Sequence, residues 1–97
     1  MKKSYVYILS NKNRTVIYIG VTNNLQRRMN EHKESRGAVF TKKYNIHDLV
    51  YVEEFNDINQ AIKREKQLKK WNKDWKWDLI KEKNPELTTL LHPQLSF

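Results

Sequence analysis

The sequence predicts a small α/β (α+β) fold. Short runs rich in Tyr, Val and Ile alternate with stretches whose apolar residues recur every three or four positions, and 97 residues suffice for one core only. A chain of this size buries roughly 60–65% of the surface it exposes when unfolded, so a separate regulatory half is not expected. Ser4 to Leu9 reads as the first strand. The polar turn Asn11-Lys12-Asn13-Arg14 joins it to a second, Thr15 to Ile19, in an antiparallel hairpin that Gly20 ends. Thr22, Asn23 and Asn24 offer caps for a helix on which Leu25, Met29 and His32 sit at i, i+4 and i+7, with Arg28 on the same stripe. Residues 35–46 hold Gly37 and no steady period, and read as loop. Leu49 to Phe55 is the third strand. Asp57 and Gln60 resemble a capping box, opening a helix whose stripe runs Ile58, Ala61, Ile62, Glu65, Leu68. Trp71, Trp75 and Leu79 continue at i+4 spacing onto a third helix starting near Asp74, which Asn84-Pro85 breaks. The expected organisation is one domain over residues 1–85 and a tail, 86–97, with no assigned structure or role.

Composition narrows the function classes. Lys and Arg number 19 against 11 Asp and Glu, a net charge of +8, and there is no cysteine. That excludes a disulfide scaffold, a Cys-ligated zinc module and thiol catalysis. No segment reaches the roughly 20 apolar residues of a membrane span, and the N-terminus lacks an apolar signal region, so a soluble, cytoplasmic protein is expected. Aromatics at 11% argue against disorder. The charge is uneven: residues 1–43 carry +8, residues 44–60 carry −4 and residues 61–76 carry +5. Two basic blocks around an acidic strand describe a charged face, for which nucleic acid is the expected partner. A generally cationic surface is the plainer alternative.

Three groups of residues carry chemistry. Arg28 lies on an apolar stripe, and a desolvated guanidinium there needs an anion, either an internal carboxylate or a bound phosphate. His32, one turn on, reaches the same region or is simply a partly buried core histidine. Glu65 lies inward on a helix otherwise crowded with lysines. It either pairs with Arg28 or a nearby lysine, or holds a hard divalent cation such as Mg²⁺, which one or two carboxylates commonly bind with waters and phosphates. Tyr5, Tyr7 and Tyr18 lie on the hairpin, as packing residues or as phenols that lose a proton more easily beside a metal and an arginine and then act on a water.

Taken in order, Tyr5-Val6-Tyr7, Tyr18-Ile19-Gly20, the run from Val21 to Arg28, His32 and Glu65 resemble the GIY-YIG nuclease domain. The resemblance spans roughly residues 3–80. It is to the small stand-alone members, which are similar to the nuclease domain of the bacterial DNA-repair excinuclease without its other domains. Tyr5 stands where the family name has glycine. The resemblance implies a three-stranded, mainly antiparallel sheet flanked by helices. It implies roles too: Tyr7 and Tyr18 as the motif tyrosines, one of them activating water; Arg28 steadying the scissile phosphate; His32 orienting or deprotonating the nucleophile; Glu65 as ligand of one Mg²⁺ or Mn²⁺. The expected function is a metal-dependent endonuclease acting on DNA, branched or structured DNA included. The alternatives are a nucleic-acid-binding module that no longer cuts, and a protein that docks on a partner protein through Trp71, Trp75 and Trp77.

Overall fold

A computed structural model describes residues 3–33 and 45–90, with backbone alone at His32 and Lys33. The elements run β1 (Ser4–Ser10), β2 (Ile17–Thr22), α1 (Leu25–Lys33), β3 (Asp48–Phe55), α2 (Ile58–Lys70) and α3 (Lys73–Lys83). The strands form one antiparallel sheet in the order β2-β1-β3, which is the α+β architecture expected. Most of the 35–46 loop expectation, residues 35–44, lies outside the described residues, as do residues 91–97.

Every residue of β1 is buried, because the strand is central and covered on both faces. Tyr5, Tyr7 and Leu9 point to one side, against Leu25 and Met29 of α1 together with Ile46 and Leu49. Val6 and Ile8 point to the other, against Ala61 and Leu68 of α2 and Ile80 of α3. The period-two alternation of a strand thus builds two cores from one segment. A bulge on β3 adjusts the fit. Ile8 pairs with Tyr51 and Leu9 with Leu49, so Val50 and Tyr51 both join the second core while Leu49 joins the first.

β2 differs from its expected span. Thr15 and Val16 are drawn out of the ladder because their N–H groups donate to the Asn11 side chain at 2.8 and 3.0 Å. Gly20 does not end the strand: pairing continues through Val21 and Thr22, opposite Val6 and Tyr5. The caps follow the sequence more closely. The Asn24 side chain accepts from Arg27 N–H at 3.0 Å, Asp57 from Asn59 at 3.1 Å and Asn72 from Trp75 at 2.9 Å. The unbroken Trp71–Trp75–Leu79 stripe is not seen. Trp71 caps α2 in an extended conformation, so the helical phase resets at Asn72. Ile80 becomes the buried residue of α3, with Trp77 and Leu79 packed around it, and Trp75 is left 56% exposed.

Asn84 closes α3 and is itself buried. Its Nδ2 donates to the Val50 carbonyl at 3.0 Å and the Thr88 carbonyl at 2.8 Å, while its Oδ1 accepts from the Thr88 N–H and hydroxyl, both at 3.1 Å. Residues 86–90, unassigned by sequence, are tied to the sheet through this amide. Leu90 N–H donating to the Leu49 carbonyl at 2.8 Å and Arg14 Nε donating to the Leu87 carbonyl at 2.8 Å complete the tie. Asn84→Ala removes all four side-chain bonds at once and strands the buried Val50 carbonyl, which alone costs about 1–3 kcal/mol. The expected loss is about 2–4 kcal/mol in urea unfolding, and a loss below about 1 kcal/mol would show the amide to be dispensable.

Candidate active site

The site is organised by one cross-strand pair. Tyr7 on β1 lies directly opposite Gly20 on β2. With no side chain at Gly20, the Tyr7 ring occupies the space above it. A Cβ there would overlap the ring's Cζ and hydroxyl. Tyr18 lies two residues before Gly20 and therefore on the same face of β2. Its ring centroid is 6.3 Å from that of Tyr7, tilted by 39°.

Arg28 and Glu65 approach from two helices. Arg28, on α1, makes a loose ion pair with Glu31 at 3.5 Å, and its side chain is 38% exposed. Its Nε is nevertheless buried, with no hydrogen-bond partner among the described residues. Glu65 lies on α2, which packs over β1 and the edge strand β2. Its carboxylate is 15% exposed and pairs at 3.6 Å with Lys69, so of the two internal pairings open in the sequence the structure forms the lysine one.

The Tyr7 phenol registers both charges. Burial pushes its pKa well above the usual tyrosine value, and the neighbouring Tyr18 and the Glu65 carboxylate push it further. Arg28 pulls it down, and the hydrogen bond with the Tyr18 hydroxyl adds to the rise. The sequence predicts a phenol that ionises more easily; in Tyr7 desolvation wins and the proton is held. Four of the five predicted residues thus share one neighbourhood. The fifth, His32, is on the last turns of α1 beyond Arg28, and its side chain lies outside the described residues.

No group of three His, Cys, Asp or Glu side chains able to cage a metal occurs among the described residues. The donor set fits a divalent cation all the same, in the one-carboxylate manner of Mg²⁺, where waters and substrate phosphates complete the shell. Glu65 supplies a hard, largely desolvated oxygen donor, and the unpartnered Arg28 Nε calls for acceptor oxygens of the kind a phosphate carries.

Sequence reading missed the network beside Glu65. Glu53 of β3 holds Arg64 through two bonds, 2.9 Å from Nε and 3.0 Å from Nη2, and accepts from the Tyr51 hydroxyl. This clamp fixes the rotation of α2 about its axis, and with it the inward direction of the adjacent Glu65. The acid in β3 and the base eleven residues later are individually ordinary charges, so only the pairing of β3 with α2 reveals them. Burial alone would raise the Glu53 pKa, but the hydrogen bonds from Arg64 and Tyr51 outweigh it and hold the carboxyl below its ordinary 4.5. A depressed folded-state pKa contributes stability that is complete above about pH 4.5 and fades as pH falls through the lower folded value. Tyr7 and Tyr51, both raised from 10.0, act in the opposite sense: their contribution is complete below pH 10 and is lost as pH rises beyond it. Thermal melts should therefore fall off at both ends. Glu53→Gln should flatten the acid limb and leave the alkaline one; an unchanged acid limb would remove Glu53 from the account.

Comparison with known proteins agrees with the geometry. Residues 3–78 match the family model described as the GIY-YIG catalytic domain. The chain is 40% identical over 87 residues to a UPF0213 protein of Syntrophus aciditrophicus, covering 89% of this chain and 98% of that one. It is 35% identical to one of Staphylococcus haemolyticus, covering 86% and 100%. The solution NMR structure of the UPF0213 protein of Bacillus halodurans superposes with a TM-score of 0.57 at 28% identity, over 87% of this chain and 88% of that one. No described helix is long and apolar enough to cross a membrane. The matched span takes in the whole β2-β1-β3 sheet, with Tyr7 seated on the glycine of the Tyr18-Ile19-Gly20 strand, and the chain belongs to the GIY-YIG family.

Proposed function

We propose that the protein is a metal-dependent endonuclease that hydrolyses DNA phosphodiester bonds. The observation that carries this reading is the buried Arg28 Nε, without a hydrogen-bond partner among the described residues, beside the Tyr7–Tyr18 pair. A buried donor without an acceptor costs roughly 1–3 kcal/mol, which a phosphate oxygen would recover. The exposed pairing with Glu31 is too weak to compete, since such pairs are worth about 0–1 kcal/mol. Arg28 then neutralises charge developing on the equatorial phosphate oxygens. Tyr7 keeps its proton and acts as a fixed donor that orients Tyr18. Tyr18, half-buried, releases its own proton to solvent and as the phenolate takes a proton from the attacking water, with His32 orienting that water. Glu65 would hold Mg²⁺ or Mn²⁺, which when bound supplies Lewis-acid stabilisation of the phosphoryl group and the leaving oxygen. The positive charge concentrated in residues 1–43 and 61–76 draws in the phosphate backbone at long range.

A nicking assay on supercoiled plasmid tests the proposal, with flap and branched DNA alongside. Nicking in Mg²⁺ or Mn²⁺ that EDTA abolishes is the expected result. DNA binding with no nicking in either metal would overturn it in favour of a binding module.

A further inference from the structure

The helix that presents Glu65 to the sheet presents a different chemistry to solvent. Ala61 and Leu68 are buried, while Lys63, Lys66 and Lys70 project from the opposite side of α2 and are exposed. A shallow groove runs along this side, lined by these lysines, Gln67 and Trp71. At its C-terminal end Trp71 meets Trp75 edge to face, ring centroids 6.1 Å apart, and Trp75 is more than half exposed. Arg64 also lines the groove, and its guanidinium lies 5.4 Å from the centre of the Trp71 ring, which it steadies.

We infer that the outward face of α2, ending on Trp75, is a second nucleic-acid-binding surface that takes a single strand. The inference rests on the nucleic-acid part of the proposed function and not on cleavage. Lysines in a row track phosphates, and an exposed indole at the end of the row offers a stacking face to an unpaired base. A duplex supplies phosphates but hides its base faces. An acidic peptide supplies charge but leaves the indole without a partner. The far side of Trp75 is bounded by Asp78 and Glu82 of α3, which repel phosphates, so the run of backbone ends where the aromatic ring begins. Arg64 is neutralised by Glu53, which leaves three lysines as the phosphate contacts. This face is turned away from the sheet while Glu65 is turned towards it. A substrate with both a duplex and a single-stranded arm would engage both sides of one helix.

Fluorescence anisotropy with labelled oligo(dT), oligo(rU) and a blunt duplex tests this. Trp75→Ala should weaken oligo(dT) or oligo(rU) binding about 5- to 100-fold, the range expected from losing one stacked base, and Trp75→Phe should restore most of it. Replacing Lys63, Lys66 and Lys70 by Ala should reduce the slope of log affinity against log salt by about 2, since each single-strand phosphate contact contributes about 0.7. These residues are exposed, so unchanged circular dichroism and melting are expected in each variant. Single-strand binding that is unaffected in both variants would overturn the proposal. So would polyglutamate binding as tight as oligo(dT) and indifferent to Trp75→Ala, which would mark the face as a dock for acidic protein. A wild-type protein that never nicks plasmid would defeat the proposed cleavage and leave these binding measurements decisive on their own.

Discussion

Glu65→Gln should lower metal-dependent nicking by about 10²–10³-fold or more, the usual effect of removing a preorganised electrostatic contact, with the fold unchanged. Glutamine keeps the size and the hydrogen-bonding reach of the side chain and loses only the charge. Among the described residues the ion pair given up is with Lys69, a half-exposed lysine one turn away, so the stability cost should stay below about 1 kcal/mol. Arg28→Ala should have an effect of the same order for a separate reason, the loss of the guanidinium proposed to meet the phosphate. Arg28→Lys should recover little, because an ammonium cannot present the planar fork. Matched circular dichroism and melting curves separate lost chemistry from lost structure. Robust cleavage by well-folded Glu65→Gln protein would remove Glu65 from the metal site.

Gly20→Ala should damage the fold and the site together. The added methyl would occupy the volume of the Tyr7 ring tip, and Tyr7 is buried on the central strand with little room to retreat. Overpacking of this kind costs about 1–3 kcal/mol. Even where the ring finds an alternative rotamer, its hydroxyl leaves the Tyr18 hydrogen bond and cleavage falls with it. Tyr7→Leu clears the ring tip and provides the control. In a double-mutant cycle, Gly20→Ala should cost much less in the Tyr7→Leu background than in the native one. Strictly additive costs would show that the two residues do not compete for space.

Gly20 also marks where sequence reading succeeded and where it stopped. Its place in the ordered motif was legible, and so were the three strands, the caps at Asn24 and Asp57, and the inward Glu65. Its physical purpose was not. Glycine at the end of a β-rich run reads as a strand stop, and only the cross-strand register shows it as the seat of Tyr7. The raised pKa of Tyr7 was hidden for the same reason. A phenol between an arginine and a carboxylate has no obvious direction of shift until its burial is known. The tryptophans misled through periodicity: i+4 spacing across Trp71 and Trp75 continues in sequence but not in space, because the extended cap at Trp71 restarts the helix. Trp71 and Trp77 pack on the core, which leaves the protein-docking reading with Trp75 alone.

The central position of β1 bears on how the chain is made. β1 precedes both its partners, and its second edge is completed only when Asp48–Phe55 is available, some 45 residues later. Until then Val6 and Ile8 have no covering helix, and one row of backbone donors and acceptors stands open. On a ribosome adding roughly 5–20 residues per second, the emerging hairpin would spend seconds in that state before α2 and α3 could close over it. Nascent chains stalled before β3 should therefore be open to protease along Ser4–Ser10. Protection there should arrive abruptly, once Ile80 has cleared the exit tunnel.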